Sequence, residues 1–278
     1  MFSRPWRKRV LPLLLIVLIG LAGRAEASDK DKCLVSQGEH IVDDYYFICR
    51  VMDVYGTIDG DLIGVASSIT IHTGGVVSGD LWVGGGKLIV EGTVGDDVHF
   101  GGLSVAITPS ARFGSIRVDV ASFALNTEIQ ENAVLPGNLL VYGYQATING
   151  AVGGDASFRG EALTINGVVA GQVDAEVGDS RRRPNVPDLP IYNVSFKNPG
   201  LVVGPNAYIG SDLTYKTTRA SVIPADAVHG RIQFDQTGSQ PDITKVAQPN
   251  DAAVIIRDYL VGSLLDWLTL FLLGALVL

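Results

Sequence analysis

A short pattern that keeps returning through the middle of the chain constrains the fold more than any other feature. Gly60-Asp61-Leu62 recurs as Gly79-Asp80-Leu81, Asp96-Asp97-Val98, Gly114-Ser115-Ile116, Gly137-Asn138-Leu139, Gly154-Asp155-Ala156 and Gly171-Gln172-Val173. The middle positions are 19, 17, 18, 23, 17 and 17 residues apart. A second marker keeps step with the first. Ile71, Val90, Ile107, Leu125, Ile148 and Ile165 each lie ten residues after the polar residue of their unit. Repetition at a nearly fixed period signals a stacked architecture in which no unit can bury its apolar face alone.

Within a unit the spacing is that of strands. Ile69 and Ile71, like Leu163 and Ile165, alternate with small or polar residues at period two, as a half-buried strand requires. Glycine and asparagine between the short runs supply the turns, and Gly84-Gly85-Gly86 and Gly101-Gly102 sit at equivalent places within the coil. A unit of 17–19 residues predicts one coil of a single-stranded parallel β-helix with three short strands, too short for a propeller blade or a helical pair. The six aliphatic residues named above then form one core column. Asp61, Asp80, Asp97, Ser115, Asn138, Asp155 and Gln172 become equivalent turn positions. The 23-residue interval predicts an excursion at Glu128–Pro136. Asp179–Gly200, with Arg181-Arg182-Arg183 and four prolines, predicts an exposed loop, because prolines are excluded from inner strands. Corners of the form Pro-x-Ala recur at Pro109, Pro205 and Pro224, extending the solenoid over 56–234.

The two ends read differently. Arg4, Arg7, Lys8 and Arg9 precede the apolar run 10–22, and Ala25-Glu26-Ala27 follows it, which is the form of a cleaved secretory signal peptide over 1–27. Removing it leaves 16 Lys+Arg against 28 Asp+Glu, a net charge of −12 in place of −8. Residues 235–258 read as a linker. Residues 259–278 hold a single charge, Asp266, and are long enough to cross a bilayer as a helix, one that reads as truncated. Cys33 and Cys49, both exported, form an even pair for which a disulfide is the default, and they staple an expected N-terminal cap over 28–55.

Charge and motif narrow the function. An acidic chain argues against nucleic acid as a partner. The four histidines, 40, 72, 99 and 229, show no metal-ligand spacing, and neither a nucleophile elbow nor a phosphate loop occurs. No catalytic residue, metal ligand or cofactor is assigned. The carboxylate ladder at the turns has two readings. It offers hard oxygen ligands to calcium, but Asp, Asn, Ser and Gln exchange along it, which suits side-chain turn formers better. A carbohydrate-binding or carbohydrate-cleaving β-helix is the main rival to a scaffold. Its mark would be an aromatic stripe, for which Trp82, Tyr142 and Tyr144 are the candidates.

Units such as Gly150-Ala-Val-Gly-Gly-Asp155-Ala, followed by Ala162-Leu-Thr-Ile-Asn-Gly-Val-Val169, resemble the bactofilin-like, polymer-forming cytoskeletal family over about 56–235. Gly210-Ser-Asp-Leu-Thr-Tyr215 and Ile223-Pro-Ala-Asp-Ala-Val228 are similar to the closing coils of its exported, membrane-anchored members. The resemblance implies a right-handed β-helix without catalytic residues, able to associate end to end. The expectation is therefore a non-enzymatic scaffold on the outer side of the cytoplasmic membrane. Its partners are further copies of the chain, the membrane and possible cell-envelope polysaccharide. The sensor domain of a larger membrane protein is a further alternative.

Overall fold

The computed structural model describes residues 31–115, 117–184 and 194–237. The expected signal peptide, the membrane segment and nearly all of the linker lie outside these residues. Among those described, no helix is long and apolar enough to cross a membrane.

The chain winds into a parallel β-solenoid of about 10 turns. Each central coil contributes one ten-residue strand, running Leu62–Ile71, Leu81–Val90, Val98–Ile107, Val120–Ile129, Leu139–Ile148 and Ala156–Ile165. These strands pair in parallel with neighbouring coils as one 13-stranded sheet. Strands of two or three residues close most coils. They form a 5-stranded sheet ending at Arg112–Phe113 and a 4-stranded sheet that starts at Val134–Leu135. Alternate residues of the long strands point inward, and the inward aliphatics stack in register.

One such column contains Val54, Ile71, Val90, Ile107, Ile129, Ile148, Ile165 and Val203, each paired with the next coil. All are buried. Leu125 is not a member: it is half-buried at the bend of its strand, and Ile129 takes the inward place. The reason lies one turn earlier. The long connection falls between Ile107 and Val120, not at Glu128–Pro136, so everything in that coil is shifted. There the inward positions beside Ile129 include Ser122 and Thr127, whose hydroxyls satisfy each other at 2.7 Å inside the core.

The same shift moves one rung of the turn ladder. Asp61, Asp80, Asp97, Asn138, Asp155 and Gln172 are stacked as expected from the repeat, but the fourth of the expected positions is Asp119 and not Ser115, which is exposed in the excursion. Each side-chain Oδ1 accepts the amide N–H of the equivalent residue one coil on. Asp61 accepts from Asp80 at 2.8 Å, Asp97 from Asp119 at 2.8 Å, Asp119 from Asn138 at 2.6 Å and Asp155 from Gln172 at 2.8 Å. The glycine before the Asx residue follows from this bond. A Cβ on Gly79, Gly154 or Gly171 would overlap the accepting oxygen below it, on Asp61, Asn138 or Asp155 respectively. The Gly-Asx pair is thus one device: the first residue makes room and the second receives and passes on the bond. Asp119→Ala leaves the Asn138 amide without its acceptor and is expected to cost about 1–3 kcal/mol. Ser115→Ala is expected to stay within about 0.5 kcal/mol, a contrast that urea unfolding would resolve.

Two further expectations are corrected. Residues 28–55 are not a separate cap, because Lys32–Val35, His40–Val42, Tyr45–Ile48 and Val51–Val54 are strands of the first coils, in register with those that follow. A disulfide joins Cys33 to Cys49 across these coils. The 179–200 segment is not wholly exposed, since Val194 and Phe196 on its return leg are buried. Glutamine 145 holds that leg, its Nε2 donating to the Ser195 carbonyl and its Oε1 accepting from the Lys197 amide. The last strand, Ile232–Gln236, carries the sheet two residues into the expected linker.

Candidate functional site

Outward positions of the long strands are read most easily as two columns. The first runs Tyr46, Ile63, Trp82, His99, Ala121, Leu140; the second, two residues further along each strand, runs Ile48, Val65, Gly84, Gly101, Phe123, Tyr142. None of these twelve residues carries Asp, Glu, Lys or Arg, in a chain that is 18% charged. Ile48, Val65, Trp82, Phe123 and Tyr142 are all solvent-exposed. The face then changes within one coil. Ser157 and Arg159 come next, followed by Asp174 and Glu176, then Thr214 and Lys216, then Gln233 and Asp235. Arg159 pairs with Asp174 at 2.6 Å. Six coils thus present an apolar strip and four a polar one, on the same wall.

The rings on the strip are ordered by the coil spacing. The indole of Trp82 lies on the imidazole of His99, with centroids 3.7 Å apart, and Phe123 lies on Tyr142 at 5.5 Å. Each ring gives one face to its neighbour. The Trp82 Nε1–H donates to Asp80 Oδ2 at 3.3 Å, so the indole is held by the turn ladder. Burial lowers the His99 pKa below the ordinary imidazole value, against the opposing pull of the Asp80 and Asp97 carboxylates. The shift disfavours the charged imidazolium on the strip.

Gly84, buried, and Gly101, half-buried, leave the second column without side chains between Val65 on one side and Phe123 on the other. The glycine at 84 is not demanded by the backbone. A Cβ there would meet only the Gly101 carbonyl oxygen at 3.3 Å and a Val65 methyl at 3.5 Å. Next to it, Gly85 is demanded, because its φ is +150° and a Cβ would overlap the Ala66 carbonyl.

Other candidates from the sequence fall elsewhere. Tyr144 is turned round the bend of the strand, edge-on to Phe196, and its hydroxyl donates to the Lys197 carbonyl. The three aromatic candidates for a stripe are therefore not one surface. Arg181 of the triplet forks onto Asp179, which holds that carboxyl well below its ordinary range. The ladder carboxylates spend Oδ1 on backbone amides, and no cluster of three metal-ligating side chains occurs among the described residues. His99 and the two glycines were missed as surface features; the signal was the lack of charge at two fixed places in six successive units.

The stack ends unequally. At its start the inward Val35 and Phe47 are buried. In the last described coil the inward Ile232 is 51% exposed, where Leu213 below it is 0%, and among the described residues the strand Ile232–Gln236 pairs only with Leu213–Thr217. Comparison with protein-family models, with curated proteins and with solved structures finds no match to this chain. The geometry defines a β-solenoid with one uncharged lateral strip and a last described coil whose inward isoleucine is half-exposed.

Proposed function

We propose that the protein is a non-enzymatic scaffold of the cell envelope that associates with copies of itself, of the bactofilin-like kind. In this reading the coil is right-handed, residues 1–27 direct export and residues 259–278 tether the solenoid to the outer side of the cytoplasmic membrane. The observation that carries self-association is the last described coil. A half-exposed inward isoleucine and a strand edge paired, among the described residues, on one side form a template to which another chain adds. Sedimentation of the full-length protein in detergent is expected to show oligomers whose size grows with concentration; a single monomeric species over a hundredfold concentration range would remove the proposal.

A carbohydrate-binding β-helix is the second reading, favoured by the rings of Trp82, His99, Phe123 and Tyr142. Against it, each ring already gives a face to its neighbour. Screening envelope polysaccharides for binding and for reducing-end release distinguishes the two.

A further inference from the structure

We infer that the uncharged strip is a lateral interface between two copies of this chain, packed side by side with their stacks running in the same direction. The inference rests on the self-association proposed above and assigns it a second surface, distinct from the last described coil.

Six coils about 4.8 Å apart make the strip about 29 Å tall. An apolar patch of that extent on an otherwise acidic surface marks an interaction site, and as the apolar centre of an interface it is completed by the polar turns beside it. Its occupant is identified by the pattern within each row. A two-fold axis parallel to the stack sets the first column of one copy against the second column of the other, coil by coil. Large then meets small in three of the six rows. Trp82 faces Gly84, His99 faces Gly101, and Phe123 faces Ala121; the next row sets Tyr142 against Leu140. Such reciprocal fit is what a two-fold contact requires, since each residue meets its counterpart twice.

Direction is fixed by the fit within the rows. With stacks parallel, Trp82 faces Gly84 and His99 faces Gly101. With stacks antiparallel about the middle of the strip, the six apolar rows still meet apolar rows, but Trp82 would face His99 and Gly84 would face Gly101, ring against ring and glycine against glycine. Such uneven filling disfavours the antiparallel arrangement. The parallel arrangement also puts both chain ends on one side, as a shared membrane demands.

The test uses full-length protein in detergent. Wild type is compared with Trp82→Glu/Phe123→Glu, whose changes point outward and leave the far-ultraviolet circular dichroism unchanged, and with Ile232→Glu, which alters only the last described coil. The face variant is expected to weaken dimer formation at least 100-fold, while Ile232→Glu keeps the dimer. Mixing Ala121→Cys with Phe123→Cys protein is expected to give a cross-linked dimer under oxidation, and mixing Gly101→Cys with Phe123→Cys is not. If wild type associates but the face variant associates equally well and Ile232→Glu does not, the lateral interface is wrong and the self-association reading stands. A monomeric wild type overturns both. Loss of polysaccharide binding in the face variant, with association intact, assigns the strip to a glycan and overturns the inference.

Discussion

Ile129→Ala is expected to lower the unfolding free energy by about 2–5 kcal/mol, and Leu125→Ala by less than about 1 kcal/mol. Both residues are aliphatic and lie four apart on one strand, so the difference measures the column and not composition. Ile129 is fully buried between Ile107 below and Ile148 above. Removing its side chain opens a cavity on the axis of the core, where neighbouring coils are pinned by their own ladder bonds and collapse little. Leu125 sits half-buried at the bend, where part of its surface already meets water. Urea titrations of both variants, followed by far-ultraviolet circular dichroism, check this directly. Equal losses would mean that the register between Val98–Ile107 and Val120–Ile129 is wrong.

That pair of residues also shows how much of the architecture was legible in the sequence. The period, the parallel coil and five of the six column residues follow from two markers held at an offset of ten, because stacking forces equivalent residues into equivalent places. The error came where the coil is irregular. Gly114-Ser115-Ile116 imitates the turn motif, and Phe123-Ala-Leu125 imitates its aliphatic partner at the same offset. The true rung, Asp119, lacks the preceding glycine and has Val118 instead. Nothing local separates the imitation from the rung; only the hydrogen bond from the Asp119 amide to Asp97 does. The polar Ser122 and Thr127 further disguise that coil, since two hydroxyls that satisfy each other can occupy an apolar column, at odds with a simple inside–outside pattern.

The candidate strip was less legible for a different reason. Its residues are outward, and period-two reading assigns outward positions to solvent without asking what they are. Trp82 was visible as a lone aromatic, and Gly84 and Gly101 as coil turns. Their membership of one surface depends on register between coils up to 96 positions apart in sequence, from Tyr46 to Tyr142. Glycine is ambiguous in such a fold, since it marks either a place where a side chain cannot fit or a place where one is kept away. Gly85 is the first kind and Gly84 the second, and they are adjacent.

Gly143→Ala separates these two kinds of glycine by its size of effect, and is expected to cost about 3 kcal/mol or more. Gly143 occupies the bend of its strand, in the column of Ala66, Gly85, Gly102, Ala124 and Gly160. A Cβ at 143 would lie well inside van der Waals contact with the Ala124 carbonyl oxygen of the coil below. That atom is backbone, so no rotamer change relieves the overlap. One coil must move away from the next, stretching the ladder bonds on both arms of the bend. Gly102 and Gly160 meet the carbonyls of Gly85 and Gly143 in the same way. The bend is therefore built by tucking each corner under its neighbour's carbonyl. Gly84→Ala adds the same methyl to an outward position one residue from such a corner, with its nearest contact at 3.3 Å, and is expected to stay within about 1 kcal/mol. Denaturant midpoints that coincide for the two variants would show that the corner does not close as described. A large gap between them would place the tight contact at the bend and leave the floor of the strip free.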